Sequence, residues 1–121
     1  MIEFVTGNLL ESKAEALVNT VNTVGVMGKG IALQFKQLFP NNTKAYLNAC
    51  KSKHFQIGQL LITEDESLHI GKKIIINFPT KTNWRLPSEY SYIEKGLSEL
   101  VKMIKEKNIR SIAIPPLGAG N

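Results

Sequence analysis

The segment Lys73-Ile74-Ile75-Ile76-Asn77-Phe78 constrains the fold of this chain more than any other segment. Its apolar centre is continuous rather than alternating, which is typical of a strand buried on both faces. Such a strand needs a covering layer on each side of its sheet, because apolar side chains on both faces must be shielded from water. The segment therefore predicts a central sheet with helices packed against it.

The other apolar residues form further strands and helices that alternate along the chain. Strands are predicted at residues 2–6, 16–20, 59–63, 73–78 and 111–115. Helical spacing predicts one helix from Ile31 to a stop at Pro40, a second after a cap at Asn42 or Thr43, and a third capped by Ser88. The polar residues 65–71 indicate a turn. This alternation indicates an α/β fold, and 121 residues suit one domain.

Composition narrows the location and the class of partner. The single cysteine, Cys50, cannot form an internal disulfide. The chain shows no secretory signal pattern at its start and no apolar run near the ~20 residues of a membrane span. We therefore expect a cytoplasmic protein with no membrane partner. The net charge of +5 favours an anionic partner such as nucleic acid or phosphate, although many small soluble domains are mildly basic.

No pattern in the sequence predicts a metal site or a bound cofactor. His54 and His69 each lack a second ligand at metal-binding spacing. The acidic run Glu64-Asp65-Glu66 indicates a solvated turn rather than a cation site. We therefore expect no metal and no cofactor.

Two glycine-bearing loops follow predicted strands, at residues 25–30 and 116–121. Glycines let backbone N–H groups approach a ligand, and a following helix adds partial positive charge at its N-terminus, which together suit a phosphate. The first loop lacks the Walker A and Gly-x-Gly-x-x-Gly spacings, and tight turns use glycine too. Because both loops end strands of one sheet, they favour a diphosphate ligand at one edge of that sheet.

Asn19 and Asn22 lie around the end of the second predicted strand and should reach the same edge. A side-chain amide both donates and accepts hydrogen bonds, which suits ribose hydroxyls. Asparagine also caps turns. For Asn19 both interpretations stand, whereas we assign Asn22 to the ligand.

These segments together resemble the macrodomain family. The resemblance is carried by Gly7-Asn8-Leu9-Leu10 and by residues 16–22, 25–30 and 115–121, and the longer runs 19–36 and 77–85 are similar to the DarG-type branch. Macrodomains bind ADP-ribose. DarG-type members are antitoxins that remove ADP-ribose from thymidine in single-stranded DNA, where a DarT-type toxin attaches it.

The resemblance implies a single domain over residues 1–121 with a three-layer α/β/α fold and a mixed, mostly parallel sheet. It also implies that the family's last helix and strand are absent from this sequence. In the family that strand lies between the first strand and the one ending at Pro115, so its absence should leave unpaired backbone edges and an open wall of the site.

The resemblance further implies individual roles, with Lys81 as the catalytic lysine and Asn22 orienting the ribose beside the scissile bond. Asn8 stands where many macrodomains have an aspartate that binds adenine, and Leu9 would contact adenine through its backbone. The residues implied to bind ADP-ribose are Asn8, Leu9, Asn19, Gly25, Val26, Met27, Gly28, Lys29, Gly30, Leu117, Gly118, Ala119, Gly120 and Asn121.

Cleaving the bond from ribose to thymine builds positive charge on the sugar and negative charge on the base. A lysine can protonate the leaving base or, as a neutral amine favoured by a nearby cation such as Arg85, attack the sugar. Thr80, Trp84 and Arg85 are predicted to contact DNA, with the indole stacking on a base. The alternatives are that Lys81 is an ordinary surface lysine and that Trp84 packs against the sheet edge.

The residues are compatible with three functions. The first is a glycohydrolase acting on ADP-ribosylated single-stranded DNA. The second is a module that binds ADP-ribose without cleaving it, which would not need Lys81. The third is a protein–protein role in which the domain binds a DarT-type toxin independently of ADP-ribose.

Overall fold

The computed structural model describes residues 1–117 and shows, over these residues, a five-stranded sheet with helices on both faces. A short 3₁₀ helix, Leu9–Glu11, connects the first two strands. The strands are β1 (Ile2–Phe4), β2 (Ala16–Asn22), β3 (Leu61–Ser67), β4 (Gly71–Lys81) and β5 (Ile112–Ile114), and the helices are α1 (Gly30–Leu38), α2 (Pro40–Lys51) and α3 (Tyr90–Lys107).

The strands lie in the order β1-β5-β2-β4-β3. All neighbouring pairs are parallel except β3 and β4, which are antiparallel. Because β2 and β4 are parallel neighbours, their carboxyl ends and the loops that follow them meet at one edge of the sheet. The predicted mixed, mostly parallel sheet is confirmed.

The two faces of the sheet carry separate apolar cores. Helices α1 and α2 cover one face, where Leu17 and Ile75 pack against Phe35 and Tyr46. Helix α3 covers the other face, where the buried residues include Val18, Ile76, Phe78 and Leu100. The continuous apolar run of β4 is thus explained, because its successive side chains enter opposite cores, and the three-layer prediction is confirmed.

The expected unpaired edges beside the first strand are not what the structure contains. β1 lies directly against β5 in parallel register, with Ile2 opposite Ile112. The Val5 N–H donates to the Ile114 carbonyl at 2.9 Å, and the Ile112 N–H donates to the Met1 carbonyl at 2.9 Å. The expectation was wrong for these two strands because β1 pairs directly with β5, with no strand between them.

The acidic run at residues 64–66 was wrongly assigned to a solvated turn. β3 continues through it to Ser67, and Asp65 is buried. The Asp65 carboxylate accepts the backbone N–H groups of Asn41 at 2.8 Å and Asn42 at 3.0 Å, so it caps the N-terminus of α2 from a neighbouring strand. Burial by itself raises the pKa of Asp65, but hydrogen bonds from Asn42, Glu66 and Asn41 outweigh it and hold that pKa below its usual value.

The predicted helix caps were also wrong. Helix α2 begins at Pro40, a position where its missing N–H costs nothing, so neither Asn42 nor Thr43 is the cap. Helix α3 begins at Tyr90 with Glu89 in the cap position, one residue beyond the predicted cap at Ser88.

A buried chain of polar side chains joins α2 to the centre of the sheet. The Asn19 amide donates to Asn77 at 3.2 Å, and the Asn77 amide donates to Asn42 at 2.8 Å. The Thr63 hydroxyl donates to the same Asn42 oxygen at 2.6 Å. These bonds fix α2 against β2, β3 and β4, because buried polar groups are costly unless they are paired.

Two further features concern the part of the chain that the structure describes. None of its helices is long and apolar enough to cross a membrane. Nor do three or more of its His, Cys, Asp or Glu side chains group in a way that could hold a metal ion.

Candidate functional site

A cleft of about 600 Å³ lies at the carboxyl ends of β2 and β4. Cavities of roughly 300–1,000 Å³ are typical for ligands of nucleotide size. The cleft joins the end of β2, the first glycine loop, the start of α1 and the end of β4. Its lining residues are Thr20, Val21, Asn22, Val26, Gly28, Lys29, Gly30, Ile31, Ala32, Thr80, Lys81 and Trp84.

Asn22 and Lys81 are paired neighbours at the end of the β2–β4 ladder. The register runs regularly to Val21 opposite Pro79 and then shifts, so that Asn22 lies opposite Lys81 and Thr80 is the extra residue. A shift of this kind re-aims side chains at the end of a sheet. The strand predicted at residues 73–78 extends to Lys81, the last residue of β4, where the Thr23 N–H donates to the Lys81 carbonyl at 3.1 Å.

The Asn22 side chain closes the first turn of the glycine loop. Its Oδ1 accepts the backbone N–H groups of Val24 at 3.2 Å, Gly25 at 3.0 Å and Val26 at 3.2 Å. Its Nδ2 donates to the Val26 carbonyl at 2.9 Å. The amide predicted to orient a ribose therefore organises the loop itself, and a direct contact with ribose stays a prediction.

The charges around the cleft suit an anion. Lys29 and Lys81 line it, and the N-terminus of α1 opens into it at Gly30 and Ile31. The first N–H groups of a helix lack intrahelical partners and carry partial positive charge. None of the described lining residues is acidic. The glycine loop and the N-terminus of α1, here called the phosphate cradle, thus lie together in the cleft, and phosphate binding there stays a prediction.

An aromatic and a cation stand at the mouth of the cleft. Trp84 lines the cleft with 46% of its side chain exposed, rather than packing fully against the sheet edge. The Arg85 guanidinium carbon lies 4.6 Å from the centre of the Trp84 ring, which is a cation–π contact. Arg85 is thereby placed on the indole and does not line the cleft. Thr80 lines it but is buried, so little of it is available for DNA.

Several residues implied to bind ADP-ribose have other positions. Asn19 is fully buried in the sheet and bonded to Asn77, which favours its structural interpretation. The Met27 side chain is buried in the core under α1 and α2. Gly25 does not line the cleft but packs toward α2. Leu117 packs against the core on the α3 face.

Asn8 and Leu9 also lie outside the lining of this cleft. The Asn8 side chain accepts the Leu10 N–H at 3.0 Å and caps the short 3₁₀ helix. The Leu9 side chain is buried, which leaves only its backbone for the adenine contact that the resemblance implied. The remaining predicted loop residues, Gly118, Ala119, Gly120 and Asn121, lie outside the described residues.

One residue that contacts the loop was not predicted from the sequence. Tyr46 of α2 is fully buried, and its hydroxyl lies 2.7 Å from the Asn22 carbonyl oxygen. Its helical spacing was the one available signal in the sequence. Asn42, Tyr46 and Cys50 recur every four residues and therefore share one face of α2. Nothing local in the sequence indicated that this face meets Asn22.

A second groove, of about 670 Å³, lies at the opposite end of the sheet near the β3–β4 turn. It contains Asn8, Lys13 and Lys73. The Lys73 ammonium group already donates to the Ser12 carbonyl at 3.2 Å and the Ala14 carbonyl at 2.6 Å, which holds the β1–β2 connection in place. The glycine loop and the carboxyl ends of the strands are at the first cleft, so we assign the functional site there.

Comparison with known proteins gives consistent matches. The chain matches the Macro domain family over residues 18–121. A Thermus aquaticus protein named DNA ADP-ribosyl glycohydrolase is 57% identical over 121 residues, covering 100% of this chain and 33% of that protein. The solved macrodomain of Mycobacterium tuberculosis DarG superimposes with a TM-score of 0.90 at 53% identity, covering 99% of this chain and 78% of that one.

A third match comes from a structure with ligand. Thermosipho africanus DarTG in complex with ADP-ribose superimposes with a TM-score of 0.87 at 35% identity, covering 98% of this chain and 34% of that one. The chain spans about a third of the length of the curated glycohydrolases it matches.

Proposed function

Since the chain belongs to the Macro domain family, we propose that its cleft binds ADP-ribose and that the domain is a DNA ADP-ribosyl glycohydrolase. Its substrate would be single-stranded DNA carrying ADP-ribose on thymidine. One observation carries the proposal: the ladder between β2 and β4 ends with Lys81 beside Asn22, in the same cleft as the glycine loop. That Lys81 lines the same cleft as the phosphate cradle supports a catalytic role for it at the bond to the base.

The cleft has the parts that a diphosphate sugar needs. Gly28 and Gly30 present backbone without obstructing side chains, and Lys29 adds a full positive charge between them. Gly30 has a φ of +64°, a conformation that residues with side chains rarely adopt. The N-terminus of α1 follows at once, so the diphosphate would lie over the loop and across the helix end.

Lys81 would act on the bond between the anomeric carbon of the ribose and the thymine nitrogen. In hydrolysis that bond breaks with its electron pair leaving on the base. Water supplies the hydroxyl that bonds to the anomeric carbon, and a proton ends on the thymine nitrogen. As an ammonium group, Lys81 would donate that proton and regain one from the attacking water. As a neutral amine, it would attack the anomeric carbon first, and water would then release the sugar from it.

The pH dependence of the rate separates these two roles. A rate that falls as pH rises supports the ammonium acid, and a rate that rises with pH supports the neutral amine.

The DNA strand would enter past Trp84. A half-exposed indole at the mouth of the cleft gives a surface on which a neighbouring base can stack, and Arg85 beyond it can meet a phosphate. Because the substrate is a single strand with a modified base, little unstacking energy is needed to present it.

The name of one relative supports a proposal about the cellular setting. A Thermosipho africanus relative, 35% identical over 133 residues, is named a fusion of DNA ADP-ribosyl transferase and DNA ADP-ribosyl glycohydrolase. We propose accordingly that this chain opposes a DarT-type toxin as an antitoxin, acts in the cytoplasm, and needs no cofactor.

The alternative is a module that binds ADP-ribose and does not cleave it. The position of Lys81 beside the cradle is what favours the enzyme over this alternative. The test is to incubate the protein with single-stranded DNA bearing ADP-ribosylated thymidine and to follow the release of ADP-ribose by chromatography. Calorimetry with free ADP-ribose runs in parallel. Release supports the enzyme, binding without release supports the module, and neither binding nor release contradicts both.

A further inference from the structure

The first turn of the glycine loop is held by hydrogen bonds to Asn22, and Asn22 is itself held by a residue of α2. The Asn22 Oδ1 atom accepts hydrogen bonds from the backbone N–H groups of residues 24–26. This closes the start of the loop on itself, and Val26 lines the cleft together with Gly28, Lys29 and Gly30 farther along the loop. The direction of these lining residues therefore depends on how firmly Asn22 itself is held.

From the α2 side, Tyr46 makes the shortest contact with Asn22, and the Cys50 thiol lies 4.0 Å from the Asn22 carbonyl oxygen. The Tyr46 hydroxyl lies 2.7 Å from the Asn22 carbonyl oxygen and 3.1 Å from Asn22 Oδ1, so its proton is directed at Asn22. The ring is fully buried and meets Phe55 edge-on at 6.1 Å between ring centres. Burial raises the pKa of the Tyr46 hydroxyl well above its usual value, so the hydroxyl stays a donor.

Helix α2 is a rigid base for this contact. Its first N–H groups are capped by the Asp65 carboxylate, and Asn42, one turn before Tyr46, is bonded to Asn77 in the centre of the sheet. Tyr46 therefore stands on a helix that is fixed against both β3 and β4.

The next turn of the same helix face shapes the loop directly. A Cβ added to Gly25 would lie 3.4 Å from the Cβ of Cys50 and 3.5 Å from Leu47 Cδ2, and Gly25 has a φ of +91°. Glycine is thus required here for its conformation, and an added Cβ would only make ordinary contacts with α2. The loop therefore packs on one face of α2, and the Tyr46 hydroxyl on that face bonds Asn22 just before the loop.

We propose that Tyr46 is a positioning residue for the glycine loop. By donating a hydrogen bond to Asn22, its hydroxyl keeps the loop, before any ligand binds, in the conformation that receives the ligand. The identity of that ligand as ADP-ribose rests on the proposed function, whereas the ordering of the empty loop does not. Groups held in place in advance bind more tightly, because less freedom is lost on binding.

Tyr46→Phe tests this by removing one oxygen atom. Amide hydrogen exchange, followed by NMR on the protein without ligand, should become roughly tenfold faster at residues 24–26 alone, since a typical hydrogen bond is worth up to about that factor. Affinity for ADP-ribose, measured by calorimetry, should fall about three- to tenfold.

The matched control is Ile76→Val, which loosens the buried core on the α3 face without touching the loop. It should lower overall stability yet leave exchange at residues 24–26 and ADP-ribose affinity unchanged, which separates positioning from general destabilisation. The inference is overturned if amide exchange at residues 24–26 is the same in Tyr46→Phe as in the parent. It is also overturned if the parent binds ADP-ribose and Tyr46→Phe binds it with the same affinity. A parent that does not bind ADP-ribose contradicts the proposed function, and the exchange result then decides the inference by itself.

Should Tyr46→Phe fail to fold, the parent protein decides. A Tyr46 hydroxyl proton bonded to Asn22 exchanges slowly enough to give an NMR signal with a cross-peak to Asn22. That signal supports the inference, and a hydroxyl in rapid exchange with water overturns it.

Discussion

Asn22 and Lys81 lie opposite each other on the last paired position of the parallel β2–β4 ladder, one step beyond the shift in register at Thr80. One of them organises the glycine loop, and the other ends the strand that forms the facing wall of the cleft. The cradle and the lysine are therefore positioned by the same pair of strands. If the loop receives the ligand as proposed, that ligand would lie in the cleft that Lys81 also lines.

Trp84→Ala should weaken binding of ADP-ribosylated single-stranded DNA by about 1–3 kcal/mol, because the stacking surface for a neighbouring base is lost. Affinity for free ADP-ribose should change little, since the loop is intact. Fluorescence anisotropy with labelled DNA and calorimetry with ADP-ribose measure the two effects. Tyr90→Ala, which removes another exposed aromatic outside the cleft lining, is the control and should leave both unchanged. Equal DNA affinity in Trp84→Ala and the parent would refute the stacking role.

Gly96→Ala should destabilise the protein by about 1–3 kcal/mol, in spite of the ~1 kcal/mol that alanine gains over glycine in a helix. A Cβ at this position of α3 would overlap the buried Phe78 ring, so the helix must move away from the sheet. Urea denaturation gives the change in the free energy of unfolding. Ser98→Ala, at an exposed position of the same helix, should be neutral or slightly stabilising. A Gly96→Ala protein as stable as the parent would show that α3 packs on β4 more loosely than the contact with Phe78 implies.

Acid should destabilise the fold through Asp65. Its pKa is lowered in the folded state, so its stabilising contribution is fully present above the unfolded value of about 3.9 and is lost as pH falls through the folded pKa. Urea denaturation between about pH 5 and pH 2 should show this loss in the parent. Asp65→Ala should cost roughly 1–3 kcal/mol at neutral pH, since two N–H groups at the start of α2 lose their acceptor, and should show a smaller loss in acid. Glu64→Gln, at the exposed neighbouring position, is the control. An acid response equal in Asp65→Ala and the parent would contradict this assignment.

The sequence was sufficient for the elements whose signal is local. The unbroken apolar run 73–78 predicted a strand buried on both faces, and the structure places its side chains in two cores. The alternation of strands and helices predicted that the first glycine loop and Asn22 share one edge, which they do. Both inferences depend only on periodicity and on the rule that parallel strands end together.

The polar contacts could not be predicted, because their partners lie far away in the sequence. Asp65 looks like part of a solvated acidic turn until α2 is placed above it, where it meets Asn41. Asn19 suits a ribose as well as it suits Asn77, and only the pairing of β2 with β4 decides between them. Tyr46 is indistinguishable from an ordinary core tyrosine until the glycine loop is seated on its helix.

The most direct test of the proposed function is the release of ADP-ribose from modified single-stranded DNA by Lys81→Ala beside the parent. Removing a group that transfers a proton or attacks the sugar should lower the rate about 10²- to 10⁴-fold, while affinity for free ADP-ribose stays near that of the parent. Lys81→Arg keeps the charge but donates no proton at neutral pH, so it should be nearly as slow. Lys102→Ala, at an exposed position of α3, should release at the parental rate. A Lys81→Ala protein that releases ADP-ribose at the parental rate would contradict the assignment of Lys81 as the catalytic residue.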